Sequence, residues 1–73
     1  MTQKILAPLA GKVVQLHLEV GAKVEEDDEA LVIEAMKMET PVFSPCNGTI
    51  KEIHAKKGDT VEEDDVLAII EES

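Results

Sequence analysis

The chain has 73 residues, 16 of them acidic and 7 basic, for a net charge of −9. That length leaves room for one small domain (1–73) with an economical core, and the charge excludes nucleic acid and anionic membrane surfaces as partners, because both repel a polyanion. Phe43 is the only aromatic residue and Cys46 the only cysteine, so base stacking and an internal disulfide are excluded and a reducing, cytoplasmic setting is expected.

From the N-terminus, Met1-Thr2-Gln3-Lys4 leads into Ile5, Leu6 and Pro8 with no apolar run long enough for a signal or a membrane span. Neither end carries a Pro/Gly/Ser-rich linker, which fits a free-standing, monomeric domain and fits a piece of a longer protein equally well. Gly11, Gly21, Gly48 and Gly58 then bracket short aliphatic runs as turns bracket strands. The runs predict strands over Gly11–Leu18, Ala30–Ala35, Glu39–Phe43, Gly48–Ala55 and Val66–Ile70, with shorter ones at Ile5–Ala7, Lys23–Val24 and Thr60–Val61. No segment shows a helical stripe, so the fold class is all-β.

A shift of 37 positions lays the chain on itself. Pro8 falls on Pro45, Gly11 on Gly48, His17 on His54, Gly21 on Gly58, Val24–Asp28 on Val61–Asp65, Ile33 on Ile70 and Glu34 on Glu71. Each copy is too short to bury an apolar face alone, so the two must share one core, as two sheets related by an approximate two-fold. The symmetry mate of position 37 is then the pair of chain ends, which should lie at the opposite pole. Leu16, Leu18 and Val20 alternate with His17 and Glu19, predicting one buried and one wet face. Val13 and Ile50 fall at the wrong parity for that alternation, which predicts a bulge in each copy.

Most polar residues have plain readings. Glu25–Asp28 and Glu62–Asp65 lack the ligand spacing and the glycine of a calcium loop and read as solvated turns. His17 and His54 belong to separate copies at solvent-facing positions, so no metal site is expected, and Cys46 aligns with Leu9 and reads as a half-buried packing residue. No nucleophile, base and oxyanion set is apparent, so no catalytic residue is assigned.

The hexapeptide Glu34-Ala35-Met36-Lys37-Met38-Glu39 resists such a reading. A buried lysine without a partner is expensive, and exposed methionines on both sides of a turn serve no core, whereas methionine makes an adaptable contact surface. A plain hairpin would carry Asn-Gly or Asp-Gly at its tip. This lysine is presented to something outside the chain.

Ala35-Met36-Lys37-Met38, with Glu34 before it and Glu39 after it, resembles the attachment motif of biotinyl domains, the biotin carboxyl carrier family. Ala7-Pro8, Gly11, Gly21, Val24, Ser44-Pro45, Gly48 and Gly58 extend the resemblance over nearly the whole chain. It implies a flattened β-barrel of two four-stranded antiparallel sheets, with Lys37 at a hairpin tip and amide-linked to biotin by a biotin protein ligase. The implied role is that of a non-catalytic carrier, shuttling a carboxyl group between biotin carboxylase and carboxyltransferase sites, or decarboxylase subunits. Met36 and Met38 would provide flanking contacts, and Glu34, Ala35 and Glu39 recognition. Lipoyl domains share the fold and offer the alternative of a carrier in a 2-oxo acid dehydrogenase complex; an unmodified interaction module is a further one. Methionine on both sides of the lysine favours biotin. Two departures stand out: Asp27 and Asp64 occupy turn positions where the family usually has glycine, and no residues are spare for the protruding thumb of some bacterial carriers.

Overall fold

The computed structural model describes residues 1–72. Eight strands follow one another: β1 (Thr2–Leu6), β2 (Gly11–Leu16), β3 (Lys23–Val24), β4 (Glu29–Ala35), β5 (Met38–Phe43), β6 (Gly48–Ile53), β7 (Thr60–Val61) and β8 (Val66–Glu72). They form two four-stranded antiparallel sheets, β1-β8-β6-β3 and β5-β4-β2-β7.

The duplication is written into this order. Advancing each strand by one repeat turns β2 into β6, β3 into β7 and β4 into β8, while β5 maps onto β1, so the two sheet orders correspond strand by strand. The short strands cross over: β3 pairs with β6 of the second copy, and β7 with β2 of the first. Backbone bonds repeat with them. Gly21 N donates to Ile50 O at 2.8 Å and Gly58 N to Val13 O at 2.7 Å, while Asp27 N donates to Ser44 O at 2.9 Å and Asp64 N to Ala7 O at 2.8 Å. Each copy thereby closes the sheet of the other, and neither could bury its apolar residues without its mate.

Between the sheets lies one aliphatic core, in which Val13, Leu31 and Ile33 of one sheet meet Ile5, Ile50, Leu67, Ala68 and Ile70 of the other. The buried hydroxyl of Ser44 is satisfied by donating to Cys46 O at 2.7 Å. The expected bulges are present: register shifts between Val13 and Gln15 on β2 and between Ile50 and Glu52 on β6. The extra residue lets Val13 and Leu16, three apart, both reach the interior.

The strand bounds differ from expectation where pairing partners decide them. β2 and β6 end at Leu16 and Ile53, short of Leu18 and Ala55, because the chain then bends into turns closed by Ala22 N to Glu19 O and Asp59 N to Lys56 O, both 3.0 Å. Leu18 is still buried, but Val20, expected inside by alternation, is 66% exposed on the first of these turns. At the ends, β1 starts at Thr2 and β8 runs to Glu72 because the two pair along their length.

Strand β4 links the poles. Its start adjoins the segment where Glu26 N donates to Asn47 Oδ1 at 2.6 Å and Gly48 pairs with Glu72, and its end carries the Met36–Lys37 turn. At the usual rise its seven residues span about 20 Å, in a molecule 35 × 18 × 17 Å. Glu72 therefore lies toward the start of β4, and the lysine turn at its other end.

Candidate functional site: the lysine hairpin

Antiparallel pairing of β4 with β5 continues to Ala35 opposite Met38, so the connection between them is two residues, Met36 and Lys37. Both have positive φ, 52° and 65°, the backbone of a type I′ turn, which suits the right-handed twist of the flanking strands. Such a turn normally holds Asn or Gly. Two side-chain-bearing residues in the left-handed region cost about 1–2 kcal/mol each, and the paired strands below supply that stabilisation. The absence of an Asn-Gly signal thus concealed a tight hairpin rather than excluding one.

Lys37 is exposed, Met36 is 94% and Met38 70% exposed, and among the described residues no pocket surrounds them. Among the described residues the contacts between basic and acidic side chains are His17 Nε2 to Glu29 Oε1 at 3.9 Å and His54 Nε2 to Glu52 Oε1 at 3.3 Å, ionic only when the imidazole is protonated. The Lys37 ammonium takes part in neither, and its side chain is exposed. Ala35 is half-buried at the base of the turn, while Glu34 and Glu39 face each other across the strands as a registered pair. The six residues of the motif are thus brought together at one pole.

Gly11 fixes the hairpin from below. A Cβ there would come within 2.5 Å of Glu34 O, 2.6 Å of Ile33 Cγ2 and 3.2 Å of Ala35 Cβ. Only a glycine lets β2 approach the last turn of the lysine strand this closely. The sequence marks Gly11 as punctuation but does not reveal this contact, since its neighbours lie more than twenty residues away.

The remaining candidates stay apart from the lysine. His17 and His54 lie on the surface just beyond the ends of β2 and β6, in different sheets. Cys46 packs half-buried against the core; burial, and then the carboxylates of Glu72 and Glu26, raise its thiol above the ordinary range, the opposite of an activated nucleophile. The acidic turns are exposed, and their left-handed residues are Asp27 and Asp64, with φ of 71° and 68°. Aspartate therefore takes the backbone conformation that suits glycine.

The model of the family described as "Biotin-requiring enzyme" matches residues 3–70. The chain belongs to that family. Over 35 residues it is 57% identical to methylcrotonoyl-CoA carboxylase subunit alpha, mitochondrial, from Oryza sativa subsp. japonica, a match covering 48% of this chain and 5% of that subunit. The urea carboxylase of Kluyveromyces lactis superposes with a TM-score of 0.87 at 33% identity, covering 96% of this chain and 6% of that one. A single-chain, multi-domain long-chain acyl-CoA carboxylase superposes with a TM-score of 0.92 at 26% identity, over 99% of this chain and 7% of that one. The chain spans only a small fraction of the length of each.

The residues present fit the family's cofactor. Covalent attachment would need an amine clear of the fold, and Lys37 at the hairpin apex is exposed and makes no ion pair among the described residues.

Proposed function

We propose that this chain is a biotin carboxyl carrier, with biotin held in amide linkage on Lys37 Nζ, serving a biotin-dependent carboxylase or decarboxylase. The observation that carries the reading is a lysine at the apex of a two-residue hairpin, between two exposed methionines, in a chain of the biotin-requiring family. When bound, biotin supplies a ureido nitrogen that accepts a carboxyl group and gives it up again.

The chain's own contribution is position. The type I′ turn and the paired strands hold the Lys37 Cα at one pole, while the four-carbon side chain keeps its freedom. A rigid base with a flexible arm raises the effective concentration of the carried group at two docked sites, making each transfer nearly intramolecular. Because Glu72 lies toward the other end of β4, a tether beyond it would leave the arm unobstructed. Acylation removes the ammonium charge and makes the domain one unit more negative than −9.

In this reading Met36 and Met38 form an apolar collar met by a biotin protein ligase and then by biotin carboxylase and carboxyltransferase partners, with Glu34, Ala35 and Glu39 completing the recognised segment. The chain performs no bond chemistry by itself and works as a monomeric domain. The free thiol of Cys46 suits a reducing compartment such as the cytoplasm.

Intact mass after coexpression with a biotin protein ligase tests the proposal. One biotin increment is expected on the native chain and none on Lys37→Ala. A lipoyl increment, or an unchanged mass, overturns it.

A further inference from the structure

Asn47 is the chain's only asparagine, and Gly48 follows it. Asparagine is among the thermolabile residues, and a glycine after it leaves the next backbone nitrogen unshielded by a side chain. The pair sits at no hairpin tip. Asn47 is exposed and ends the bend after β5, while Gly48 is buried and opens β6. Under the duplication the mate of Asn47 is Ala10, so only one copy carries the amide.

The fold holds both groups. Asn47 Oδ1 accepts from Glu26 N at 2.6 Å, and Gly48 is paired with Val24 on β3 and with Glu72 on β8. The donor is itself placed by a turn. Asp28 N donates to Glu25 O at 3.0 Å, and φ is positive at Asp27 but not at Glu26, which makes Glu25–Asp28 a type II turn with Glu26 at its second position. A carboxamide tied to Glu26 is not free to rotate onto Gly48 N. The tie depends on β3, which is only two residues long, so its release from β6 is a local opening rather than global unfolding.

We propose that Asn47 is a site of spontaneous deamidation, gated by release of β3 from β6. In the opened state Gly48 N gives its proton to a solvent base and bonds to Asn47 Cγ. The bond from Cγ to the amide nitrogen breaks, and that nitrogen takes up a proton and leaves as ammonia. Water then opens the cyclic imide at either carbonyl, leaving aspartate or isoaspartate at position 47; nothing is oxidised or reduced. The two products differ in consequence. Aspartate keeps an oxygen for Glu26 N and adds a carboxylate to the neighbourhood of Glu26 and Glu72, whose charges already reach Cys46. Isoaspartate lengthens the main chain by a methylene immediately before Gly48, where even a methyl group would collide with Glu71 O. It therefore puts β6 out of step with both of its partner strands.

The chain is incubated at mildly alkaline pH, folded or in guanidinium chloride, and position 47 is followed by intact mass, peptide mapping and labelling with a protein isoaspartyl methyltransferase. Loss of the amide should be about tenfold slower in the folded chain. Proline is favoured at the second position of a type II turn and lacks an N–H, so Glu26→Pro removes the tie and keeps the turn. It should raise the folded rate about fivefold, the worth of one hydrogen bond. The mate substitution Glu63→Pro falls in an equivalent turn, with Asp64 at positive φ, and should leave the rate within about twofold. Asn47→Asp should melt close to the native chain, and the isoaspartate fraction well below it. An amide that survives even in guanidinium chloride overturns the site, and equal folded and unfolded rates overturn the gate. Glu63→Pro as fast as Glu26→Pro overturns the tie to Glu26. Should Glu26→Pro fail to fold, the comparison of folded with unfolded chain decides the gate alone. An isoaspartate fraction that melts with the native chain overturns the structural consequence.

Discussion

Gly11 lies directly against the backbone of Glu34, three residues before the lysine, with no room between them for a methyl group. Its mate Gly48 stands in the same relation to Glu71 at the opposite pole. Gly11→Ala and Gly48→Ala should each destabilise the fold by about 1–3 kcal/mol, because the obstructing atoms include backbone that cannot rotate away. Urea midpoints should fall alike for both, whereas only Gly11→Ala should slow acylation of Lys37. Equal effects on acylation would show that Gly11 has no particular hold on the hairpin.

The strained turn separates stability from recognition. Asparagine tolerates the left-handed region better than methionine, so Met36→Asn should stabilise the fold by roughly 0.5–1 kcal/mol. It should also slow acylation and carboxyl transfer by removing half of the apolar collar. Met38→Gln, outside the strained pair, should slow transfer without the gain in stability. Denaturation curves and transfer rates on the same preparations check both, and unchanged transfer rates would remove the collar from the account.

Neighbouring aspartates in one turn should respond in opposite directions. Asp27 has positive φ and Asp28 does not; Asp28 Oδ2 instead accepts from Glu25 N at 2.9 Å, as Asp65 Oδ2 does from Glu62 N at 2.8 Å. Asp27→Gly and Asp64→Gly should raise stability by about 0.5–1 kcal/mol through relief of the left-handed strain. Asp28→Ala and Asp65→Ala should lower it by about 1 kcal/mol through loss of the turn hydrogen bond. Thermal melts of the four variants decide this.

Cys46 gives a pH signature. Burial, followed by the charges of Glu72 and Glu26, raises its folded pKa above the ordinary thiol value, so the folded state binds the thiol proton more tightly than the unfolded state. Its contribution to stability is fully present below the ordinary thiol pKa and is lost as pH rises through the raised one. Native protein should fall in stability above about pH 9 more steeply than Cys46→Ala. Alkylation of the folded thiol should lag that of the urea-unfolded chain at equal pH. Parallel pH profiles for native chain and variant would contradict the assignment.

The sequence by itself determined the duplication, the all-β class, the bulges and the identity of the presented lysine. These are readable because each is a local pattern: a repeat of 37, a parity error at Val13 and Ile50, a cation between two methionines with no core to serve. Tertiary structure decided what depends on partners distant in the chain. The crossing of β3 and β7 into each other's sheets, the seat of Gly11 beneath Glu34, and Glu34 facing Glu39 all follow from register, which the two-residue turn and the bulges settle together. Val20 shows the limit of parity: alternation assigns a face only while the strand continues, and a turn that ended β2 at Leu16 left Val20 in solvent. Phe43 shows another. Its place one residue beyond the buried Val42 on the edge strand β5 turns it outward, which composition does not show.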